Sequence, residues 1–173
     1  MELPDAIKLI KHKNILNPSK TTWADLGCGS GLFTVAISNL LAPGSKIYAV
    51  DTNIKLFKSP VKPHVVVEKI KADFVADPLA FKNLDGILMA NSLHFVQNKD
   101  AFIRKIKNHL NPNGCYLIVE YDMDTSNPWV PFPISYNTLR KMFEGLGYTL
   151  IEKIYELPSR YNRANIYSVL VKG

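Results

Sequence analysis

Apolar positions recur along this chain in two rhythms that keep changing places. Short continuous apolar runs alternate with stretches in which apolar side chains return every third or fourth residue. The runs predict buried strands at 22–26, 47–50, 65–70, 84–90 and 116–120, with two more at 149–156 and 166–171. The three-to-four spacing predicts helices at 4–14 (Ile7, Leu9, Ile10), 31–41 (Phe33, Ile37, Leu40, Leu41) and 99–110 (Phe102, Ile103, Ile106, Leu110). A further helix carries Leu139, Met142, Phe143 and Leu146 and stops at Gly147. A short helix at 53–58 is expected between the second and third strands, with Pro60 and Pro63 limiting its length. A proline- and aromatic-rich loop spans 121–133.

Strands alternating with helices predict an α/β fold with a mostly parallel sheet. The last two strands are too close in sequence for a right-handed crossover, so they should form an antiparallel hairpin. At 173 residues, 47% hydrophobic and 21% charged, the chain reads as one globular domain over 1–173, which excludes wholesale disorder. No apolar run approaches a membrane span, and the acidic start Met1-Glu2-Leu3-Pro4-Asp5 is unlike a signal peptide, so no membrane partner and a cytoplasmic location are expected. Cys28 and Cys115 are too few for a disulfide framework or a four-ligand zinc site, and no metal is expected. The net charge of +6 raises nucleic acid as a partner. Its mild clusters, Lys8/Lys11/Lys13 and Arg104/Lys105/Lys107, fall on predicted helices, and a solvated helix face is the favoured reading.

The informative segment is Asp25-Leu26-Gly27-Cys28-Gly29-Ser30-Gly31, between the first strand and a helix. Glycines permit a tight turn and let a ligand approach the backbone, and the helix start offers N–H groups and partial positive charge, which would suit an anion. The dinucleotide pattern Gly-x-Gly-x-x-Gly is not met, because the third glycine comes one place early and Leu32 stands where it belongs. Asp25 would repel a pyrophosphate and favour a ligand carrying a cationic group. No lysine follows the loop, so the phosphate-cradling pattern is absent too.

Asp25-x-Gly27-x-Gly29-x-Gly31 resembles the first motif of the class I S-adenosylmethionine-dependent methyltransferases, of the small, substrate-diverse kind. Val50-Asp51, Ala72-Asp73-Phe74, the segment from Asp85 to Phe95 and the Leu110-Asn111-Pro112-Asn113-Gly114 turn resemble later motifs of that family in order and spacing. The resemblance runs from Thr21 to the C-terminus. It implies a Rossmann-like, doubly wound, seven-stranded sheet, mostly parallel, with an antiparallel final strand between strands five and six. It implies S-adenosylmethionine as cofactor, with Asp25, Gly27, Cys28, Gly29, Gly31, Asp51, Thr52, Asp73, Phe74 and Asn91 around it. Asp51 would accept from the ribose hydroxyls, and Asp73 would accept from the adenine amino group; a turn or helix N-cap is the alternative for Asp73. Ligands in such sheets lie beyond the carboxyl ends of the strands.

The acceptor side is read from the loops on the same rim. His94 is a candidate base or substrate contact, since histidine titrates near neutral pH; a structural role is the alternative. Glu120 ends the fifth strand and is a candidate substrate contact. Trp129, with Tyr121 and Phe132, would line an apolar pocket or plug the sheet edge. Arg160, Tyr161 and Arg163 would grip an anionic substrate or stay solvated. Asn91-Ser92-Leu93-His94 departs from the Asn/Asp-Pro-Pro-aromatic motif of base-amine methyltransferases, and neither cysteine is placed on that rim as the nucleophile that carbon methylation of nucleobases usually uses. These readings favour a small-molecule methyl acceptor whose O, N, S or C nucleophile attacks the methyl group in line. The alternatives are an RNA or protein acceptor docked on basic helix faces, and a non-catalytic cofactor-binding subunit.

Overall fold

The computed structural model describes residues 1–158 and 164–173. Its elements in chain order are α1 (Leu3–Ile10), β1 (Thr22–Leu26), α2 (Leu32–Ser38), β2 (Lys46–Asp51), β3 (Val66–Lys71), β4 (Leu84–Ala90), α3 (Lys99–Ile106), β5 (Leu110–Tyr121), α4 (Tyr136–Gly145), β6 (Leu150–Pro158) and β7 (Asn165–Lys172). Single 3-10 turns follow β4 at Leu93–Phe95 and α3 at Lys107–His109. The seven strands form one sheet in the order β3-β2-β1-β4-β5-β7-β6. The pairs β1–β2, β1–β4, β2–β3 and β4–β5 are parallel, while β7 is antiparallel to both its neighbours. This is the Rossmann-like sheet expected above, with the antiparallel strand in the expected slot. Because β7 reverses twice, β6 runs the same way as β5, and the exits of β1 to β6 share one rim.

Apolar side chains cover both faces of the central strands, which is why those strands read as unbroken apolar runs. Along β4, Ile87 and Met89 face one layer, and Leu88 and Ala90 face the other. The first layer packs Phe102, Ile103 and Ile106 of α3 and Leu139 and Phe143 of α4 against the sheet. The second packs Ala6, Leu9 and Ile10 of α1 and Phe33, Ala36 and Ile37 of α2. Gly86 is required where Trp23 crosses β4, since a Cβ there would lie 2.2 Å from the indole. Two helices are capped as their sequences allow: Asn98 accepts from the Ala101 N–H, and Ser135 accepts from the Thr138 N–H.

Three local expectations fail. The helix at 53–58 does not form. The segment is too short to nucleate without packing support, and Asp51 Oδ1 accepts the Asn53 N–H at 2.9 Å, holding the backbone in a turn. The first helix stops at Ile10, because Lys11 is extended (ψ 111°). The fifth strand begins at Leu110 rather than 116, its first residues pairing with Leu84 across a bulge. Among the described residues, no helix is long and apolar enough to cross a membrane, and no cluster of three or more His, Cys, Asp or Glu is arranged to hold a metal.

Candidate active site

The glycine loop leaves β1 and is stitched to the end of β2. The Gly27 and Cys28 N–H groups donate to the Val50 carbonyl at 2.8 and 3.0 Å, and the Gly29 N–H donates to Asp51 Oδ2 at 2.9 Å. The Gly31 N–H donates to the Cys28 carbonyl. These four N–H groups are therefore already partnered within the protein. The turn itself is thus held by its own backbone, and the helix start whose N–H groups are expected to face a ligand begins after it, at Leu32. Gly27, Gly29 and Gly31 all have left-handed φ, at 80, 52 and 82°. A Cβ on Gly27 would lie 2.5 Å from Ser92 Cβ, so this glycine lets the loops after β1 and β4 touch. At Gly29 a Cβ would meet nothing within 4 Å, and the loop here borders open space.

That space is a cavity of about 550 Å³ at the carboxyl rim. Gly27, Gly29, Asp51, Thr52, Asp73, Phe74 and Asn91, all expected near the cofactor, line it. Val75, Ser92 and Phe95 also line it and escaped the sequence reading. Their signal was adjacency: each is next to, or in the same loop as, a residue already singled out. Ser92 donates to the Leu26 carbonyl at 2.6 Å, tying the two loops. Asn91 has a left-handed backbone (φ 52°), and its Oδ1 is buried with no hydrogen-bond partner. Asp73 lines the cavity and also caps its own turn, accepting from the Val75 N–H at 2.8 Å.

Three expected cofactor residues do not line the cavity. Gly31 is covered by the Phe57 ring. Cys28 lies in the loop, and burial, then the charges of Asp25 and Asp51, push its thiol up to about 12, which keeps it unreactive. Asp25 is sealed behind the loop, where Oδ2 accepts from Thr34 Oγ1 at 2.6 Å and Oδ1 has no partner. Burial pushes its carboxyl up to about 7, against the pull of the Thr34 hydrogen bond and with a contribution from Asp51.

On the acceptor side, His94 and Glu120 are brought together and buried. Glu120 Oε2 lies 2.7 Å from His94 Nδ1, and Oε1 accepts the His94 backbone N–H at 3.1 Å. The His94 ring packs on Phe95, which borders the cavity. The 121–133 loop is fastened to this wall. The Phe132 N–H donates to the His94 carbonyl, and Lys99 Nζ donates to the carbonyls of Phe132 (2.6 Å) and Val96 (2.9 Å). Trp129 is 83% exposed on a turn held by the Asn127 side chain, so it does not plug the sheet edge. Arg160, Tyr161 and Arg163 lie outside the described residues. A second cavity, about 430 Å³, opens at the opposite end of the sheet. The Asp85 carboxylate there is already taken by the Thr22 N–H and Asn111 Nδ2.

Residues 24–118, more than half of the chain, match the family model described as a methyltransferase domain. The chain belongs to this methyltransferase family. It is a class I S-adenosylmethionine-dependent member in its fold and motifs. The ubiquinone/menaquinone biosynthesis C-methyltransferase UbiE of Hahella chejuensis is 28% identical over 112 residues, covering 61% of this chain and 45% of that protein. UbiE of Shewanella sp. strain W3-18-1 is 25% identical over 139 residues, covering 77% and 51%. The chain thus spans about half the length of the curated relatives it matches. Among solved structures, the Burkholderia thailandensis 1,6-didemethyltoxoflavin-N1-methyltransferase, bound to 1,6-didemethyltoxoflavin and S-adenosylhomocysteine, superposes with a TM-score of 0.71 at 15% identity, covering 98% of this chain and 77% of that one. A SAM-dependent methyltransferase from Aquifex aeolicus gives 0.62 at 17% identity, covering 99% and 98%. At these identities the structural likeness shows the fold.

The cofactor of this methyltransferase domain is S-adenosylmethionine. The residues present fit it. The ligand carries an ammonium group and ribose and adenine donors, and the cavity offers acceptors: the Asp51 carboxylate, the Asp73 carboxylate and the unpartnered Asn91 Oδ1. Among the described residues it presents no lysine or arginine that would mark a phosphate site.

Proposed function

We propose that this domain transfers a methyl group from S-adenosylmethionine to a small-molecule acceptor. The observation that carries the reading is the rim cavity, where the loops after β1, β2, β3 and β4 bring Gly29, Asp51, Asp73 and Asn91 around one open volume. In this reading Asp51 and Asp73 accept hydrogen bonds from ribose and adenine. Asn91 Oδ1 accepts from the amino-acid end, and the open side of Gly29 leaves room for the ligand. The bound cofactor supplies an electrophilic methyl group on a sulfonium. The protein's contribution is to hold the acceptor in line and to exclude water.

The small-molecule part of the proposal is supported by the relatives, a ubiquinone/menaquinone biosynthesis C-methyltransferase and a 1,6-didemethyltoxoflavin-N1-methyltransferase. It is also supported by the apolar rim. Phe95 lines the cavity and is exposed, and Phe132 is exposed on the loop whose N–H bonds the His94 carbonyl. His94, Glu120 and Trp129 are the acceptor-side residues of this reading.

The test is ligand linkage. S-adenosylhomocysteine at about 100 times its Kd should stabilise the fold by about 2.7 kcal/mol, a melting shift of roughly 5–10 °C for a domain of this size. Asp51→Ala should shrink that shift severalfold. Absence of any shift in the wild type sinks the cofactor reading. The acceptor is then sought with a panel of phenols, amines, thiols, carbon acids and short RNAs, scored by release of S-adenosylhomocysteine. Turnover with RNA alone would overturn the small-molecule assignment.

A further inference from the structure

His94 follows β4 in the Leu93–Phe95 turn, and Glu120 is the penultimate residue of β5. Both are buried, at 3% and 1% exposure. A buried ionisable pair is costly to desolvate, so it persists where geometry compensates or where function requires it. Here the geometry is specific. One carboxylate holds both the backbone N–H and the ring Nδ1 of the same histidine. A carboxylate only accepts, so the nitrogen facing it carries the ring proton. Nε2 is then the bare, basic nitrogen, and it has no hydrogen-bond partner among the described residues. The place of His94 in the fold is beside the cavity: Asn91, Ser92 and Phe95 on either side of it in the chain line that volume, and the His94 ring packs on Phe95.

We propose, building on the methyltransferase reading above, that Glu120 is a positioning residue that fixes His94 as a base through Nε2. The acceptor is therefore a protic nucleophile, a hydroxyl or amine that loses a proton as it is methylated. The acceptor's X–H bond breaks toward Nε2, and the freed electron pair on X forms the bond to the methyl carbon. The carbon–sulfur bond breaks with its electrons remaining on sulfur, which ends as a neutral thioether. The positive charge that left sulfur resides on the His94 ring, where the Glu120 carboxylate offsets it. Removing the proton as the new bond forms avoids a cationic product in a buried site.

The surroundings suit this arrangement. Among the described residues, the other charged and titratable groups around the pair include Lys99 at the start of α3, whose ammonium is pulled below its usual range by burial, against the opposing charge of Glu120, and the Tyr121 ring, 6.3 Å from His94. Tyr167 on β7 also feels Glu120, with Asp122 and Asp124 beyond it. Burial, then these negative charges, push the Tyr167 hydroxyl up, so it stays neutral as it donates to the Ile134 carbonyl. Lys99 is committed to two loop carbonyls.

The first test needs no acceptor. Long-range proton–nitrogen NMR of histidine-labelled protein, with His94 assigned by its loss in His94→Gln, should show the proton on Nδ1 and a bare Nε2 at mildly alkaline pH. That signature should be lost in Glu120→Ala. The second test uses the best acceptor from the panel. Glu120→Gln should lower kcat about a hundredfold, leave KM nearly unchanged, and leave S-adenosylhomocysteine binding by calorimetry intact. A wild-type His94 protonated on Nε2 overturns the proposal, and so does Glu120→Gln turnover within about twofold of wild type. Methylation confined to acceptors without a transferable proton, such as a tertiary amine or a thioether, also overturns it. The wild-type tautomer is read without any substitution, so a variant that misfolds does not shield the idea. If the wild type binds no S-adenosylhomocysteine, the methyltransferase reading fails. If it binds and His94 carries its proton on Nε2, the base assignment fails alone.

Discussion

Gly27 and Gly29 look alike in sequence and have opposite surroundings. Gly27 is packed, with Ser92 and Phe74 within 3.3 Å of where a Cβ would stand, while Gly29 faces open space. Both have left-handed φ, which costs an L side chain about 1–2 kcal/mol. Gly29→Ala should therefore lower the melting temperature by only a few degrees, yet abolish most of the S-adenosylhomocysteine shift, because the methyl group enters the ligand's space. A variant with the full ligand shift would show that the open side of Gly29 is not the binding volume. The residue types at the cavity were legible as a pattern of glycines and carboxylates at strand ends. Which of those carboxylates reach the cavity was not, because a strand residue's face depends on register. Asp25 and Asp51 end neighbouring strands, yet Asp25 is sealed against Thr34 while Asp51 meets the loop and the cavity.

At the level of elements, the Asp25–Thr34 bond joins β1 to α2, and the burial of Asp25 between them makes the stability of the fold pH-dependent. Asp25 has a folded value of about 7 against an ordinary value of 3.8. The native state then holds a proton that the unfolded chain has released. Its contribution to stability is complete below pH 3.8, declines as pH rises toward 7 and is gone above it. The slope is about 1.4 kcal/mol per pH unit within that window. Asp25→Asn keeps a hydrogen-bond acceptor for Thr34 and cannot ionise. Its stability relative to wild type, read from urea midpoints of the ligand-free protein, should rise between pH 5 and pH 8. A constant difference across that range would show that Asp25 does not titrate there. Element identity was legible wherever an apolar period lasted, as in α3 and β4. It failed at 53–58, where a side-chain hydrogen bond from Asp51 outweighed weak local helix preference.

Across the whole molecule, the +6 charge is put to local use. Lys46 pairs with Glu68 at 2.8 Å, Lys69 lies over the Phe57 ring, Lys99 and Lys105 hold loop carbonyls, and Lys107 lies over Tyr148. Cations distributed this way do not make a continuous phosphate-binding stripe. A short single-stranded RNA should bind no tighter than about 10⁻⁵ M at physiological salt, with a shallow salt dependence. Submicromolar binding with a steep salt slope, measured by fluorescence anisotropy, would instead favour a nucleic-acid acceptor.

By itself the sequence determined the alternation of strands and helices, the two-faced burial of the sheet, and the glycine and carboxylate signature of the cofactor loop. Each of these is written in local order: apolar period sets which side chains must be hidden, and glycine marks where the backbone must turn the other way. Tertiary structure alone decided that four loop N–H groups are consumed internally, that Asp25 faces away from the cavity, and that Asn91 Oδ1 is left unpartnered. It alone joined His94 to Glu120 across 26 residues of chain. Such pairings depend on strand order and register, which bring distant residues within hydrogen-bond reach and which no local pattern records.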